Sequence, residues 1–125
     1  MTPEQLKKRT REFAHRVVDL CLELGHDELG RLVRRQLLRA GTGVAANYRS
    51  SCRARSSREF AARLGVVVEE ADESEFWLDL ITVKRPSTPQ CGQLQREAEE
   101  LRAILAASRT TTLANMRRRR AARKL

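Results

Sequence analysis

The sequence predicts an all-α protein, an antiparallel up-down four-helix bundle with a basic C-terminal tail. Apolar residues recur at alternating spacings of four and three along most of the chain, which is the period of a helix in a bundle. Capping residues and prolines divide this pattern into four segments with short connections, and short connections favour antiparallel neighbours. Little apolar sequence follows the fourth segment, so we predict a bundle domain over 1–112 and a disordered basic tail over 113–125.

The first helix is predicted to begin after Thr2, which can act as N-cap. Pro3 suits the first helical position, and Gln5 completes a capping box. Gly25 is predicted to cap the C-terminus of this helix. The apolar stripe of the helix consists of Leu6, Thr10, Phe13, Val17, Leu20 and Leu24.

The outer face of the first helix is basic. Lys7, Lys8 and Arg11 are candidate contacts for nucleic-acid phosphates, because exposed cations attract polyanions. The alternative is a solvated face that binds no ligand.

The second helix is predicted from about residue 28, with Asp27 as N-cap, to about residue 52. Gly41 and Gly43 lie within it, and glycines inside a helix permit close approach of a neighbour or mark a bend. The predicted stripe consists of Leu29, Val33, Gln36, Ala40, Gly43 and Asn47, widened by Leu32, Leu37 and Val44.

The third helix is predicted over about 57–83, after a short Ser-rich turn. Ser56 and Glu59 have the spacing of a capping box. So short a turn should place the second and third helices antiparallel. The stripe of the third helix consists of Phe60, Leu64, Val67, Ala71, Ser74, Leu78 and Ile81.

Four polar residues lie on or beside the stripes of this helix pair: Arg39, Asn47, Glu70 and Glu73. We predict one structural network, in which Asn47 is buried and hydrogen-bonded and Arg39 pairs with the carboxylates. The two carboxylates could instead act as general acid and base. The pattern places no nucleophile and no metal-binding histidine beside them, so we predict a protein without catalytic activity, metal or cofactor.

The fourth helix is predicted to begin at Pro89, capped by Thr88, and to fade near 108–112. Its stripe consists of Leu94, Ala98, Leu101 and Leu105, with Ile104 beside it. Six cations follow in the tail and are candidate nucleic-acid contacts: Arg117, Arg118, Arg119, Arg120, Arg123 and Lys124.

The formal net charge of +9 is unevenly distributed. Residues 1–58 carry +7, residues 59–81 carry −6 and residues 82–125 carry +8. An acidic helix between basic segments favours salt links within or between subunits. The remaining positive charge predicts RNA or DNA as a partner.

Composition and motifs argue against several other protein classes. No run approaches the ~20 apolar residues of a membrane span, and the basic N-terminus lacks the apolar core of a signal peptide. We therefore expect a cytoplasmic protein with no membrane partner. Three widely spaced cysteines without a C-x-x-C motif predict free thiols, and scarce aromatic residues argue against a base-stacking platform.

Several short motifs are similar in content and order to those of a known family. They are Gln36-Leu37-x-Arg39-Ala40, Asn47-Tyr48, Ala54-x-Ser56-x-x-Glu59-Phe60 and Glu70-x-x-Glu73-x-x-x-Trp77-Leu78. The chain resembles the bacterial four-helix bundle family that includes proteins encoded by intervening sequences of large-subunit ribosomal RNA genes. This family also includes the accessory variability determinant of diversity-generating retroelements. The resemblance covers about residues 9–108; where the family often has a glutamate after the Asn-Tyr pair, this chain has Ser50 and Ser51.

The resemblance implies an up-down bundle that assembles as a ring-shaped homopentamer. It also implies a protein without enzymatic activity, since none is established for the family. The accessory determinant binds nucleic acid and a reverse transcriptase through a basic surface, so the resemblance adds a reverse transcriptase to the expected partners.

Two functions stay open at this point. The first is a non-catalytic oligomeric protein that binds nucleic acid or acts as a scaffold. Such a protein would neutralise phosphates without reading bases. If a retroelement is involved, it would be the accessory protein of that element. The second is a protein-interaction module whose charges serve subunit assembly, with no nucleic-acid role.

Overall fold

The structure is a computed structural model that describes residues 1–86 and 88–124. Four helices account for most of the chain: α1 (Pro3–Glu23), α2 (Glu28–Ser51), α3 (Ser57–Lys84) and α4 (Pro89–Arg123). Each helix packs against the next one, and α4 returns to contact α1. Among the described residues α1 does not contact α3, and α2 does not contact α4, so the helices form an up-down ring. The predicted fold class, an antiparallel four-helix bundle, is confirmed.

Local capping interactions start three of the helices where the sequence predicts. The Thr2 hydroxyl accepts from the Gln5 amide at 3.1 Å, and the Gln5 side chain accepts from the Thr2 amide at 2.8 Å. Asp27 accepts from the Gly30 amide at 3.0 Å. At α1, however, the prediction of a glycine cap was wrong: Gly25 follows the extended C-cap Leu24, but its φ is not positive, as a left-handed glycine cap would require.

The α3 capping box is displaced by one residue from the predicted pattern. The Ser56 hydroxyl accepts from the Glu59 amide at 3.1 Å, as a capping box requires. The Glu59 carboxylate, however, accepts from the amide of Arg55 at 3.2 Å, and not from that of Ser56. This second bond ties the turn between α2 and α3 to the first turn of α3.

The core contains the predicted stripes of α1 and α4 and, apart from its first member, the stripe of α3. On α3 the buried position is Ala61, while Phe60 is half-buried. On α2, four predicted residues are buried, namely Val33, Ala40 and the flanking Leu37 and Val44, while Leu32 is exposed. At the other predicted positions, Leu29, Gln36, Gly43 and Asn47, the next residue along the helix is buried instead, because the helix turns a neighbouring face toward the core. Its buried residues are Gly30, Val33, Leu37, Ala40, Gly41, Val44, Tyr48 and Ser51.

Two glycines of α2 bring neighbouring groups close to its backbone, as predicted. A Cβ atom at Gly41 would lie 2.7 and 2.9 Å from the two Cγ atoms of Val17, so the glycine lets α1 and α2 approach closely. A Cβ atom at Gly43 would lie 2.9 Å from the carboxyl carbon of Glu70. Helix α2 nevertheless runs through both glycines without interruption.

Helix α4 does not end near 108–112 as predicted; it continues to Arg123. Leu113 and Met116 are half-buried, and they line a groove with the residues that begin α3. Arginine and alanine are also strong helix formers, which favours continuation. The predicted disorder of 113–125 is therefore not confirmed, Leu125 lies outside the described residues, and the division into a domain and a tail stays a prediction.

Ion pairs join the helices along their seams. Arg9 of α1 donates to both carboxylate oxygens of Glu97 of α4, at 2.8 and 2.6 Å. Arg102 of α4 donates to Glu75 of α3 at 2.8 Å. The predicted salt links of the acidic third helix thus exist within the subunit.

One end of the bundle is held by arginines that bind the connecting loops. Arg34 donates to the carbonyl oxygens of Cys21 at 3.1 Å and of Gly25 at 2.8 Å. Arg85 pairs with Asp27, and this contact holds the pKa of the Asp27 carboxyl below its usual value. These contacts define what we name the far end, where α1 and α3 finish.

No helix within the described ranges is both long enough and apolar enough to cross a membrane.

Candidate nucleic-acid interface

The up-down order brings four basic segments to the end of the bundle opposite the far end. There α1 and α3 begin, and α2 and α4 finish. We name this the basic end. Its cations are exposed, apart from half-buried Lys7, and they are Lys7, Lys8, Arg11, Arg49, Arg53, Arg55, Arg58, Arg117, Arg118, Arg119, Arg120, Arg123 and Lys124.

A first groove at the basic end lies between α1 and α2. Its walls carry Lys7, Lys8 and Arg11 from α1 and Arg49 from α2, and the small side chains of Ala45 and Ala46 leave room between them. The groove has a volume of about 500 Å³. We name it the α1/α2 groove. The three predicted contacts of α1 therefore lie together. The structure adds Arg49, which lies in the last turn of α2 and reaches this groove because α1 and α2 are antiparallel.

A second groove, the notch, lies between the first turn of α3 and the last turns of α4. Its volume is about 760 Å³. Arg58 stands on the α3 side, and four of the predicted tail cations stand on the α4 side. The lining residues are Ser56, Ser57, Arg58, Leu113, Met116, Arg117, Arg119, Arg120 and Arg123. Sequence reasoning missed Arg58, since only the packing of α4 on α3 places it opposite the tail.

The acidic groups nearest to these grooves are already paired. Glu4, on the rim of the α1/α2 groove, accepts from Lys7 at 3.2 Å. Glu59 accepts from Arg63 and from the Arg55 amide, and these contacts hold its pKa below the usual value. Since no carboxylate of the described residues pairs with Arg58 or with the tail arginines, the basic end keeps most of its positive charge available.

The predicted polar network exists in part. Arg39 pairs with Glu73 across the α2–α3 seam and also donates to Gln36 at 3.1 Å. Asn47 does not join it: the side chain is half-buried and makes no hydrogen bond within the described ranges. The prediction of a buried, hydrogen-bonded Asn47 was wrong because the face of α2 that enters the core is displaced by one residue.

Glu70 lies beside this pair without joining it by a hydrogen bond. Its Oε2 atom is buried and has no hydrogen-bond partner among the described residues. Burial raises the pKa of Glu70, and the nearby charge of Arg39 partly offsets this. The indole Nε1 of Trp77, two turns further along α3, is also buried, and no residue of the described ranges bonds to it.

The same helix exposes apolar side chains. Phe76 is 59% exposed and packs edge-on against Trp77, with ring centroids 5.0 Å apart. Val66 and Val83 are also exposed. Exposed apolar side chains and orphaned polar atoms on one helix are typical of a surface that is covered in an assembly.

Neither a metal centre nor a reactive thiol emerges from the described residues. They hold no group of three or more His, Cys, Asp or Glu side chains that could bind a metal ion. Cys21 and Cys91 are buried and Cys52 is half-buried, all as free thiols. Burial raises the pKa of Cys21 to about 11, so this thiol stays protonated near neutral pH.

A comparison with protein-family models identifies the bundle. The model of the 23S rRNA-intervening sequence protein matches residues 4–107. The chain belongs to this family. The match includes the α1/α2 groove and the Arg39–Glu73 pair, and it ends before the tail cations of the notch. A comparison with curated proteins gives no match.

A solved structure supports the membership. A protein of unknown function from the S23 ribosomal protein family of Bacteroides thetaiotaomicron is similar over 88% of this chain and 99% of its own. The TM-score is 0.78 and the sequence identity is 29%. The bundle is therefore shared with a crystal structure of comparable length.

Proposed function

We propose that this member of the family is a non-catalytic, oligomeric scaffold that binds nucleic acid through its basic end. The observation that carries the proposal is the convergence of basic segments from all four helices on one end of the bundle. Two separate grooves there present cations that no carboxylate of the described residues neutralises, apart from the Lys7–Glu4 pair. A phosphate backbone supplies the opposite charge.

The chemistry of these side chains favours contacts with phosphates over contacts with bases. Lysine and arginine at both grooves can neutralise phosphate oxygens, and such contacts carry no sequence information. Bound counterions are released when the contacts form, so the affinity should fall steeply with salt. We therefore expect similar binding to unrelated RNA and DNA sequences.

Oligomerisation would multiply these contacts. The exposed Phe76 and the orphaned atoms of Glu70 and Trp77 support a subunit interface on the acidic helix α3. A ring, pentameric by family resemblance, would display several basic ends at once. The second contact to one nucleic acid would then be intramolecular, which raises the overall affinity.

Charge-neutralising substitutions at the basic end test the proposal. We expect a variant with Arg117, Arg118, Arg119 and Arg120 replaced by Gln to bind labelled duplex DNA more weakly in fluorescence anisotropy. Its salt slope should also be shallower. The matched control replaces four exposed cations outside the basic end by Gln, namely Arg31, Arg35, Lys84 and Arg96. Equal losses in the two variants would contradict a role for the basic end.

Deletion of residues 115–125 is a less clean test than the substitutions. The deletion should weaken binding and flatten the salt slope, but it would also remove helical residues of α4. The sequence alone predicts unchanged helical content after this deletion, and the structure corrects that expectation. Circular dichroism of the substituted variants should match that of the unaltered protein, because glutamine is a good helix former.

The second candidate function is a protein-interaction module without a nucleic-acid role. The exposed apolar residues of α3 favour it. In that case the unaltered protein would show no binding to nucleic acid at low salt. The variant with the four arginines replaced would still bind the same protein partner. A reverse transcriptase stays a partner predicted by the family resemblance alone.

A further inference from the structure

The notch differs from the α1/α2 groove in composition and in shape. Its cations stand on two sides, with Arg58 on α3 facing the arginines of α4, and no Asp or Glu of residues 1–86 and 88–124 lines it. The α1/α2 groove includes Glu4 in its lining and is smaller, at about 500 Å³ against about 760 Å³. The notch also contains the half-buried apolar side chains of Leu113 and Met116.

We infer that the notch binds single-stranded nucleic acid in preference to a duplex; this rests on the proposed function and specifies its ligand. A groove with cations on opposite sides suits one phosphate backbone that passes between them. A duplex is a wide, stiff rod, so it meets the rim of such a groove and reaches fewer of the inner cations. The protein's higher affinity for a single strand than for a duplex should therefore come from the notch.

The apolar side chains give a second reason for this preference. An unpaired base exposes its face, which can rest on Leu113 and Met116 or stack on an arginine guanidinium plane. The bases of a duplex are stacked inside it and cannot make these contacts. Since no aromatic residue lines the notch, we expect a modest preference of about fivefold and not the larger values of aromatic platforms.

The α4 side of the notch lies outside the segment that the family model matches, which ends at residue 107. The four arginines on that side, and Leu113 and Met116, all follow this point in the chain. The proposed single-strand site is thus an addition to the shared bundle. The α1/α2 groove lies inside the matched segment and serves as an internal reference.

A binding comparison with matched variants tests the inference. The probes are a labelled DNA strand of about 20 nucleotides that cannot pair with itself, and the duplex of the same sequence, at one salt concentration. The notch variant carries Arg58→Gln and Arg120→Gln. The control variant carries Lys8→Gln and Arg11→Gln, which removes the same charge from the other groove. Thermal melts of each variant establish that it folds.

We expect the unaltered protein to bind the single strand about fivefold more tightly than the duplex. The notch variant should lose this ratio, while the control variant should weaken on both probes and keep it. Equal affinity of the unaltered protein for the two probes, or a ratio that survives in the notch variant, would overturn the inference and leave the proposed function standing. If the unaltered protein binds neither probe at low salt, both the inference and the proposed function are overturned.

Discussion

Gly41 and Gly43 are two residues apart on α2, yet a methyl group at each would meet a different kind of neighbour. At Gly41 it would press against Val17, which is fully buried. At Gly43 it would press against the end of the Glu70 side chain, which can swing toward solvent. The same substitution should therefore be destabilising at Gly41 and tolerated at Gly43.

We expect Gly41→Ala to lower the free energy of unfolding by about 1–3 kcal/mol, because overpacking of Val17 outweighs the gain in helix propensity. Gly43→Ala should be neutral or stabilise by up to about 1 kcal/mol. Urea denaturation of both variants measures the difference. A Gly41→Ala protein as stable as the Gly43→Ala protein would show that α1 and α2 are not in close contact at Gly41.

Glu70 makes stability depend on pH. Burial raises its folded-state pKa above the ordinary 4.5, so the folded protein binds this proton more tightly than the unfolded chain. The stability that it contributes therefore falls as the pH rises from 4.5 through the folded-state pKa. Arg39, Glu69 and Glu73 are the charged groups that act on it, and the charge of Arg39 opposes the shift.

Glu70→Gln should raise the melting temperature near neutral pH and change it little below pH 4.5, where the carboxyl is protonated. Melting curves across this pH range test the prediction. Glu12→Gln, which removes an exposed carboxylate from α1, is the control. If Glu70→Gln raised the melting temperature as much in acid as at neutral pH, the ionisation of Glu70 could not be the cause of the change.

At the scale of the helices, α1 and α4 form the sparsest contact of the bundle. The bidentate pair of Arg9 and Glu97 closes it, and both side chains are at least three-quarters buried. Bidentate pairs with little solvent exposure are stronger than surface pairs. We therefore expect Arg9→Ala to lower the free energy of unfolding by about 1–3 kcal/mol.

The control for Arg9 is Lys7, which pairs on the same helix with Glu4, a residue whose side chain is 83% exposed. Lys7→Ala should cost less than about 0.5 kcal/mol. Hydrogen exchange adds a local readout, since Arg9→Ala should speed exchange in α1 more than in α3. Equal losses of stability for the two substitutions would mean that the pair does not hold the seam.

At the scale of the whole molecule, the exposed apolar residues of α3 predict self-association. We expect size exclusion with light scattering to give a multiple of the protomer mass of 14.3 kDa at tens of micromolar protein. Five protomers is the value implied by the family resemblance. A clean species at the protomer mass would contradict the oligomeric scaffold and would leave single basic ends to bind on their own.

Much of the fold could be predicted from the sequence because three helices have a single strong apolar stripe. On α1, Phe13 and Val17 identify the one helix face that enters the core. Helix α2 has two nearly equal stripes one residue apart, and only its packing neighbours decide between Asn47 and Tyr48 as the buried member. The end of α4 could not be placed from the charge of the tail, because arginine and alanine favour a helix and the half-buried Met116 packs beside the start of α3.

The candidate site was less accessible to sequence reasoning. Individual cations such as Lys8 and Arg117 could be named from their charge and position. Their division between two grooves depends on helix register, which sets Arg49 beside α1 and Arg58 beside α4. Sequence periodicity gives the face of each helix and not the height at which two helices meet.

The salt dependence of nucleic-acid binding tests the central claim most directly. The measurement is fluorescence anisotropy of the full chain with unrelated DNA and RNA duplexes across a salt series. We predict similar affinities for the unrelated sequences and a linear fall of the logarithm of affinity with the logarithm of salt concentration, with a slope that reports several neutralised phosphates. Binding that is undetectable at low salt, or that is insensitive to salt, would contradict a basic end that binds phosphate backbones.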